Sequence, residues 1–145
     1  MKKIEQLLGT KKCTALRSFI KEQKDVVALY VFGSILTDYY GTHSDIDLGI
    51  IFYTSDVKLE RELELDVQVS DILGTDKVDL VNLNKTPVQL SFQAISKGVL
   101  IQENDYIELS NFLEKTMKFY GDYRIDLEYY YSEYRNALRE VYRNG

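Results

Sequence analysis

Three acids and a glycine-serine pair carry the residue types and spacing in this chain from which chemistry could be built. Asp45 and Asp47 stand two apart in Asp45-Ile46-Asp47-Leu48. On an extended segment both carboxylates point to one face, and Ile46, Leu48 and Ile50 point to the other, into a core. Two ionised carboxylates side by side repel, which is unfavourable in a purely structural role. A hard divalent cation resolves the conflict, and Mg²⁺ suits one or two carboxylates completed by phosphate oxygens. Gly33-Ser34 lies upstream and supplies a complementary half. Glycine lets backbone approach a ligand closely, the N–H groups opening a following helix favour an anion, and the Ser34 hydroxyl adds a donor. Asp79 sits in Val78-Asp79-Leu80-Val81, an otherwise apolar run where an unpaired acid would be costly. If its strand neighbours that of Asp45 and Asp47, three carboxylates share a face. Such a trio suits two metal ions roughly 3.5–4 Å apart, the arrangement of in-line phosphoryl displacement. The alternative for Asp79 is an edge-strand acid facing water. Together the two grips would hold a nucleoside triphosphate and its magnesium.

The elements that must position these residues follow from periodicity. Residues 2–23 read as helical, with a possible break at Gly9-Thr10. Val26–Phe32 is a continuous apolar, β-rich run suited to a strand buried on both faces. A short helix from Ser34 to Tyr40 with Gly41 as its stop is expected next, then strands at Asp45–Phe52 and Val78–Leu83. Thr86-Pro87 reads as a helix opening, Thr as cap and Pro at the first helical position, running to Lys97 before Gly98. Val99–Gln102 adds a short strand, and the chain from Asn104 reads as helix interrupted near Gly121. Glu62–Val69 alternates strictly like a strand, yet Leu59, Leu63 and Val67 also form an i, i+4 row. Periodicity alone leaves that stretch open.

Composition narrows the function classes. At 145 residues and 45% hydrophobic, the chain supports one core and one domain. No apolar run is long enough for a bilayer, and Met1–Gln6 lacks a signal-peptide core, so no membrane partner is expected. A lone cysteine, Cys13, excludes an internal disulfide and fits a reducing cytoplasm; in a helical stretch it reads as a small core residue. The net charge of −5 speaks against a long nucleic acid, whose backbone calls for a basic stripe. His43 reads as a solvated loop residue and stays outside the catalytic set. Near the C-terminus Leu127, Tyr131, Tyr134, Leu138 and Val141 form a seam at four- and three-residue steps, expected to dock on the core.

The pattern Gly33-Ser34, ten residues, then Asp45-Ile46-Asp47 resembles the signature of the polymerase-beta-like nucleotidyltransferase superfamily. Ala28–Phe32, Ser44 before Asp45, and the chain's size are similar to its minimal nucleotidyltransferase family, and Val78–Leu83 resembles that family's third-carboxylate strand. The resemblance covers residues 24–103. It implies an α+β fold, a small mixed β-sheet packed by helices, with C-terminal helices added at 104–145. It also implies a helix over 56–73, resolving the ambiguous stretch. Members of that family commonly act as antitoxins beside a HEPN-type ribonuclease toxin, transferring AMP to its tyrosine hydroxyls. Carried onto this chain, this implies ATP as donor, Mg²⁺ as cofactor held by Asp45, Asp47 and Asp79, phosphate contacts from Gly33 and Ser34, and a HEPN-type partner. The family often has a basic residue soon after Gly-Ser, whereas Ile35–Tyr40 has none. Two other readings stand beside this one: transfer to a small, drug-like hydroxyl, and a non-enzymatic antitoxin acting by contact.

Overall fold

The structure is a computed structural model that describes residues 2–38, 40–41 and 43–144, with the side chains of residues 125–127, 130–131, 134 and 142–144 left undescribed. Four strands form a single sheet in the order β3-β2-β1-β4: β1 (Val26–Phe32), β2 (Ile46–Phe52), β3 (Val78–Asn82) and β4 (Val99–Glu103). β1 runs antiparallel to β2 and β4, and β2 runs parallel to β3. The sheet is therefore mixed and the architecture α+β, as the resemblance implied.

Helices cover both faces. On one face lie α1 (Lys2–Leu8), α2 (Thr10–Lys21) and α3 (Leu59–Leu73), which contribute Ile4, Leu16, Ile20, Leu65 and Val69 to a core shared with Leu29, Val31, Leu48 and Ile50. On the other lie α4 (Val88–Lys97) and the start of α5 (Tyr106–Asn144), whose Ala94 and Leu109 meet Val27, Tyr30, Ile51 and Leu83. This two-sided burial is why β1 is apolar at every position. A bulge between Val26 and Ala28 puts Val27 and Ala28 in succession on the α4–α5 face. Cys13 is a buried core residue, and burial raises its thiol pKa.

Polar side chains fix the ends. Asn84 accepts from Phe52 N (2.8 Å) and donates to Phe52 O (2.9 Å), pairing with the end of β2 as a further strand residue would. Asn104 Nδ2 donates to Ile20 O (2.9 Å) and Val26 O (3.1 Å), joining α2 to the start of β1. Arg61 on α3 reaches Asp25 (2.9 Å) and Gln23 (2.8 Å), tying α3 to the loop before β1 and holding the Asp25 carboxyl below its usual range.

Several boundaries differ from the periodicity. The N-terminal helix is broken at Gly9, whose φ of 92° lies where glycine is at ease. Instead of a helix over 34–40 there is one 3₁₀ turn, Gly33–Leu36, closed when Thr37 N (2.9 Å) and Thr37 Oγ1 (2.7 Å) both donate to Ser34 O. Tyr39, within the expected helix, lies outside the described residues. α4 begins at Val88 with extended Pro87 as its cap, and Thr86 makes no side-chain cap because its hydroxyl bonds Leu83 O and Ser91. α5 runs through Gly121 as one helix of 39 residues, replacing the several C-terminal helices expected. A single mid-helix glycine costs only about 1 kcal/mol, and the preceding turns are anchored by Leu109 and by Tyr120 stacked on Phe92 at 3.9 Å. The expected docking of the C-terminal seam does not occur at Leu138 and Val141, which are exposed; the side chains of Leu127, Tyr131 and Tyr134 lie outside the described residues. No helix among the described residues is long and apolar enough to cross a membrane.

Leu48, fully buried at the centre of the sheet, tests this packing. Leu48→Ala is expected to lower unfolding free energy by about 2–5 kcal/mol in urea denaturation.

Candidate active site

The acids and the glycine-serine pair meet where β1 ends and β2 begins. Ile46, Leu48 and Ile50 are driven into the core beneath α1–α3. Alternation then sends Asp47 to the opposite face, where it remains half-buried. Asp47 pairs in register with Asp79 on β3 and with Phe32 on β1, one residue before Gly33. Aligned residues of parallel strands point to the same face, so the two carboxylates are lateral neighbours. Asp45 lies just before β2 and is exposed, as is Asp79 on the edge strand. Both readings of Asp79 thus hold together: it faces water and it stands beside Asp47.

The electrostatics agree with this grouping. Burial pushes the Asp47 carboxyl pKa up, and the negative charges of Asp79 and then Asp45 push it further. Among the described residues no three acidic, histidine or cysteine side chains form a ready-made metal cage. The three carboxylates are nonetheless close enough to repel, and every charge acting on Asp47 is negative. Crowded, partly desolvated oxygen donors of this kind suit a hard divalent cation.

Gly33 has a φ of 82°, and a Cβ there would overlap Asp47 Oδ2. Its missing side chain is what lets the turn lie against the acid. The turn is a single 3₁₀ turn, so it offers an anion only its N–H groups and the Ser34 hydroxyl, without the macrodipole of a long helix. Ile35–Tyr40 carries no cation of its own; Lys3 Nζ on α1 donates to Leu36 O (3.2 Å), at the end of the turn away from Gly33. A cavity of about 470 Å³ on the α1–α3 side of the sheet is lined by Ser44 and Ile46, the chain neighbours of Asp45, with Lys12, Gly74 and Lys77. A second, of about 570 Å³, lies at the opposite end of the sheet near Phe52, Asn84 and Lys115. His43 is exposed in the loop before β2.

One acid escaped the sequence reasoning. Asp66 on α3 has its carboxyl pKa raised by burial and by the charge of Asp79, while a hydrogen bond from Ser70 opposes the shift. Its Oδ1 is buried without a hydrogen-bond partner. The signal was available only once 56–73 is taken as helix, where Asp66 and Ser70 stand four apart on one face.

The profile described as Polymerase beta, Nucleotidyltransferase matches residues 14–107. The chain belongs to the polymerase beta nucleotidyltransferase family. A Methanocaldococcus jannaschii protein bearing the name protein adenylyltransferase MJ1217 is 35% identical over 68 residues, covering 47% of this chain and 67% of that protein. Among solved structures, a chain of a toxin–antitoxin complex with AMP-PNP superposes with a TM-score of 0.63 at 22% identity, over 79% of this chain and 89% of that one. A chain of the Shewanella oneidensis complex of a tri-AMPylated HEPN toxin with its MNT antitoxin superposes at 0.62 and 20% identity, over 84% and 91%. These likenesses establish the shared fold, and the family membership makes this chain a nucleotidyltransferase.

Ionising Asp47 costs the folded nucleotidyltransferase more than the unfolded chain, because its folded pKa is raised. That cost is absent below the unfolded pKa and grows as pH rises through the folded one. Asp47→Asn is therefore expected to raise Tm near pH 7, with the gain shrinking toward about pH 4, as scanning calorimetry across pH would show. Gly33→Ala is expected to lose about 1–2 kcal/mol from its left-handed backbone alone, measured by chemical denaturation.

Proposed function

We propose that this nucleotidyltransferase moves AMP from ATP onto a tyrosine hydroxyl of a partner HEPN-type toxin, and that it serves as the antitoxin. The observation that carries this reading is the register of Asp47 against Asp79 beside the Gly33 turn: an acidic group and an anion cradle in one place. The names of the relatives support the acceptor and donor, since one is a protein adenylyltransferase and others are complexes of AMPylated toxin or AMP-PNP. Residues 24–103 form the transferring core in this reading, and residues 104–145 the helical extension.

In the reaction the acceptor oxygen attacks the α-phosphorus of ATP. A new P–O bond forms, the bond to the β-phosphate oxygen breaks, and pyrophosphate leaves. Asp45, Asp47 and Asp79 are assigned as the residues that hold magnesium, which would offset phosphate charge and ease loss of the hydroxyl proton. Gly33 and Ser34 would hold the triphosphate through backbone N–H groups and the Ser34 hydroxyl. An exposed carboxylate at Asp79 or Asp45 can take the acceptor's proton. Catalysis then consists mainly of positioning and charge stabilisation. Retaining Asp47 half-buried beside two further acids, an arrangement that disfavours its charged form, is hard to reconcile with an antitoxin that works by contact alone.

Asp45→Asn and Asp47→Asn are each expected to reduce transfer by on the order of a hundredfold or more while the protein stays folded. Intact-mass spectrometry of a co-expressed HEPN toxin would follow the added AMP. Wild-type levels of modification in either variant would remove the assigned role of that acid.

A further inference from the structure

α3 is apolar on two separate sides. Leu65, Val69 and Leu73 are buried against the sheet, as a surface helix requires. Leu59, Leu63 and Val67 form a second row, four residues apart, at 64%, 55% and 62% exposure. Isolated exposed leucines need no explanation, but three in line on one helix make a continuous strip. At 100° per residue, Asp66 falls between this strip and the buried row, with Leu63 about 5–6 Å away at i−3. Glu62, four residues before Asp66 on the same flank of α3, is paired at 3.0 Å with Lys85 just past β3. The strip therefore lies on the flank turned toward the edge strand, and the Asp66 carboxyl feels the charge of Asp79.

The other border of the strip is acidic too. Glu60, Glu64 and Asp71 follow it around the helix, which holds five acids against one base, Arg61. Glu62 is paired with Lys85 and Glu64 with Arg61, so Glu60 and Asp71 carry most of the charge of that border. That arginine is already engaged with Asp25 and Glu64. Resting on the protein-acceptor reading given above, we propose that the Leu59–Leu63–Val67 strip is where the acceptor protein docks, through an amphipathic helix whose apolar row is flanked by lysine or arginine. An apolar row against an apolar row, with basic flanks over acidic ones, is the helix-on-helix mode of peptide recognition. Its position beside Asp66 would bring a hydroxyl on the docked protein to the edge strand that carries Asp79.

The test uses the full chain and two fluorescent synthetic helical peptides of about 18 residues, sharing a leucine row at i, i+3, i+4, i+7. One peptide carries lysine at the flanking positions and the other glutamate. Anisotropy titration is expected to show the lysine peptide binding at least about tenfold more tightly. The double variant Leu63→Asp, Val67→Asp should lose at least about tenfold of that affinity although it makes the protein more acidic. Equal or tighter binding by this variant would reduce the effect to bulk charge and overturn the proposal. Glu60→Lys with Asp71→Lys should turn the preference toward the glutamate peptide, and an unchanged preference counts against the acidic borders. Sedimentation of the unmodified protein supplies the remaining arm: a dimer dissolved by Leu63→Asp, Val67→Asp would assign the strip to a second copy and refute the proposal. No step needs nucleotide, so failure here is distinguishable from loss of transfer in Asp47→Asn, which bears on the activity alone.

Discussion

The constraint on which this structure depends is the register of β2. Its apolar residues Ile46, Leu48 and Ile50 are almost wholly withdrawn from water. A one-residue slip would bury Asp47 beneath α1–α3 and bring a large side chain to the place of Gly49, where Leu83 leaves no room even for a Cβ. That overpacking, on the order of 1–3 kcal/mol, together with the cost of burying a carboxylate, opposes the repulsion that would otherwise drive Asp47 away from Asp79. The core thus holds an arrangement that its own electrostatics disfavour. Such a trade of stability for reactivity is characteristic of sites where local rules are broken for a reason.

The neighbouring elements serve the same end from different directions. Asn84 fixes the far end of β2, and Arg61 fastens α3 to the loop before β1. Gly33 removes the one atom that would collide with Asp47, so turn and acid occupy adjoining space. Lys3 steadies the far end of the turn through Leu36 O. Positive charge reaches that end of the turn by folding, which a scan of the residues following Gly33-Ser34 does not reveal.

Where the chain's own pattern was one-sided, it was legible. β1 matches its apolar run residue for residue, because burial on both faces leaves no polar position to blur the ends. The acids and the Gly33 turn were legible because spacing on a strand fixes the face. Glu62–Val69 was ambiguous for a physical reason: Leu65 and Val69 are the buried row of α3, and Leu63 and Val67 belong to its exposed row. Two helical rows superposed give an apparent period of two. Asp66 was hidden by the same ambiguity. The 3₁₀ turn was overextended because competition by Thr37 for Ser34 O is a matter of local geometry. Gly121 was read as a stop, yet glycine ends a helix only where the chain has reason to turn.

α5 carries one more consequence. Every described side chain from Asp122 to Val141 is exposed. At a rise of about 1.5 Å per residue, that half of the helix extends some 30 Å beyond Tyr120, which stacks on Phe92. Its backbone is sustained by its own hydrogen bonds, which for a helix of this length in water are only marginally favourable. Cooperative unfolding should therefore stop short of it: the core melts as one unit, and the distal turns wind and unwind on their own. This half of α5 stands as a mast whose rigidity is set by local helix–coil balance and can be changed without disturbing the domain at its foot.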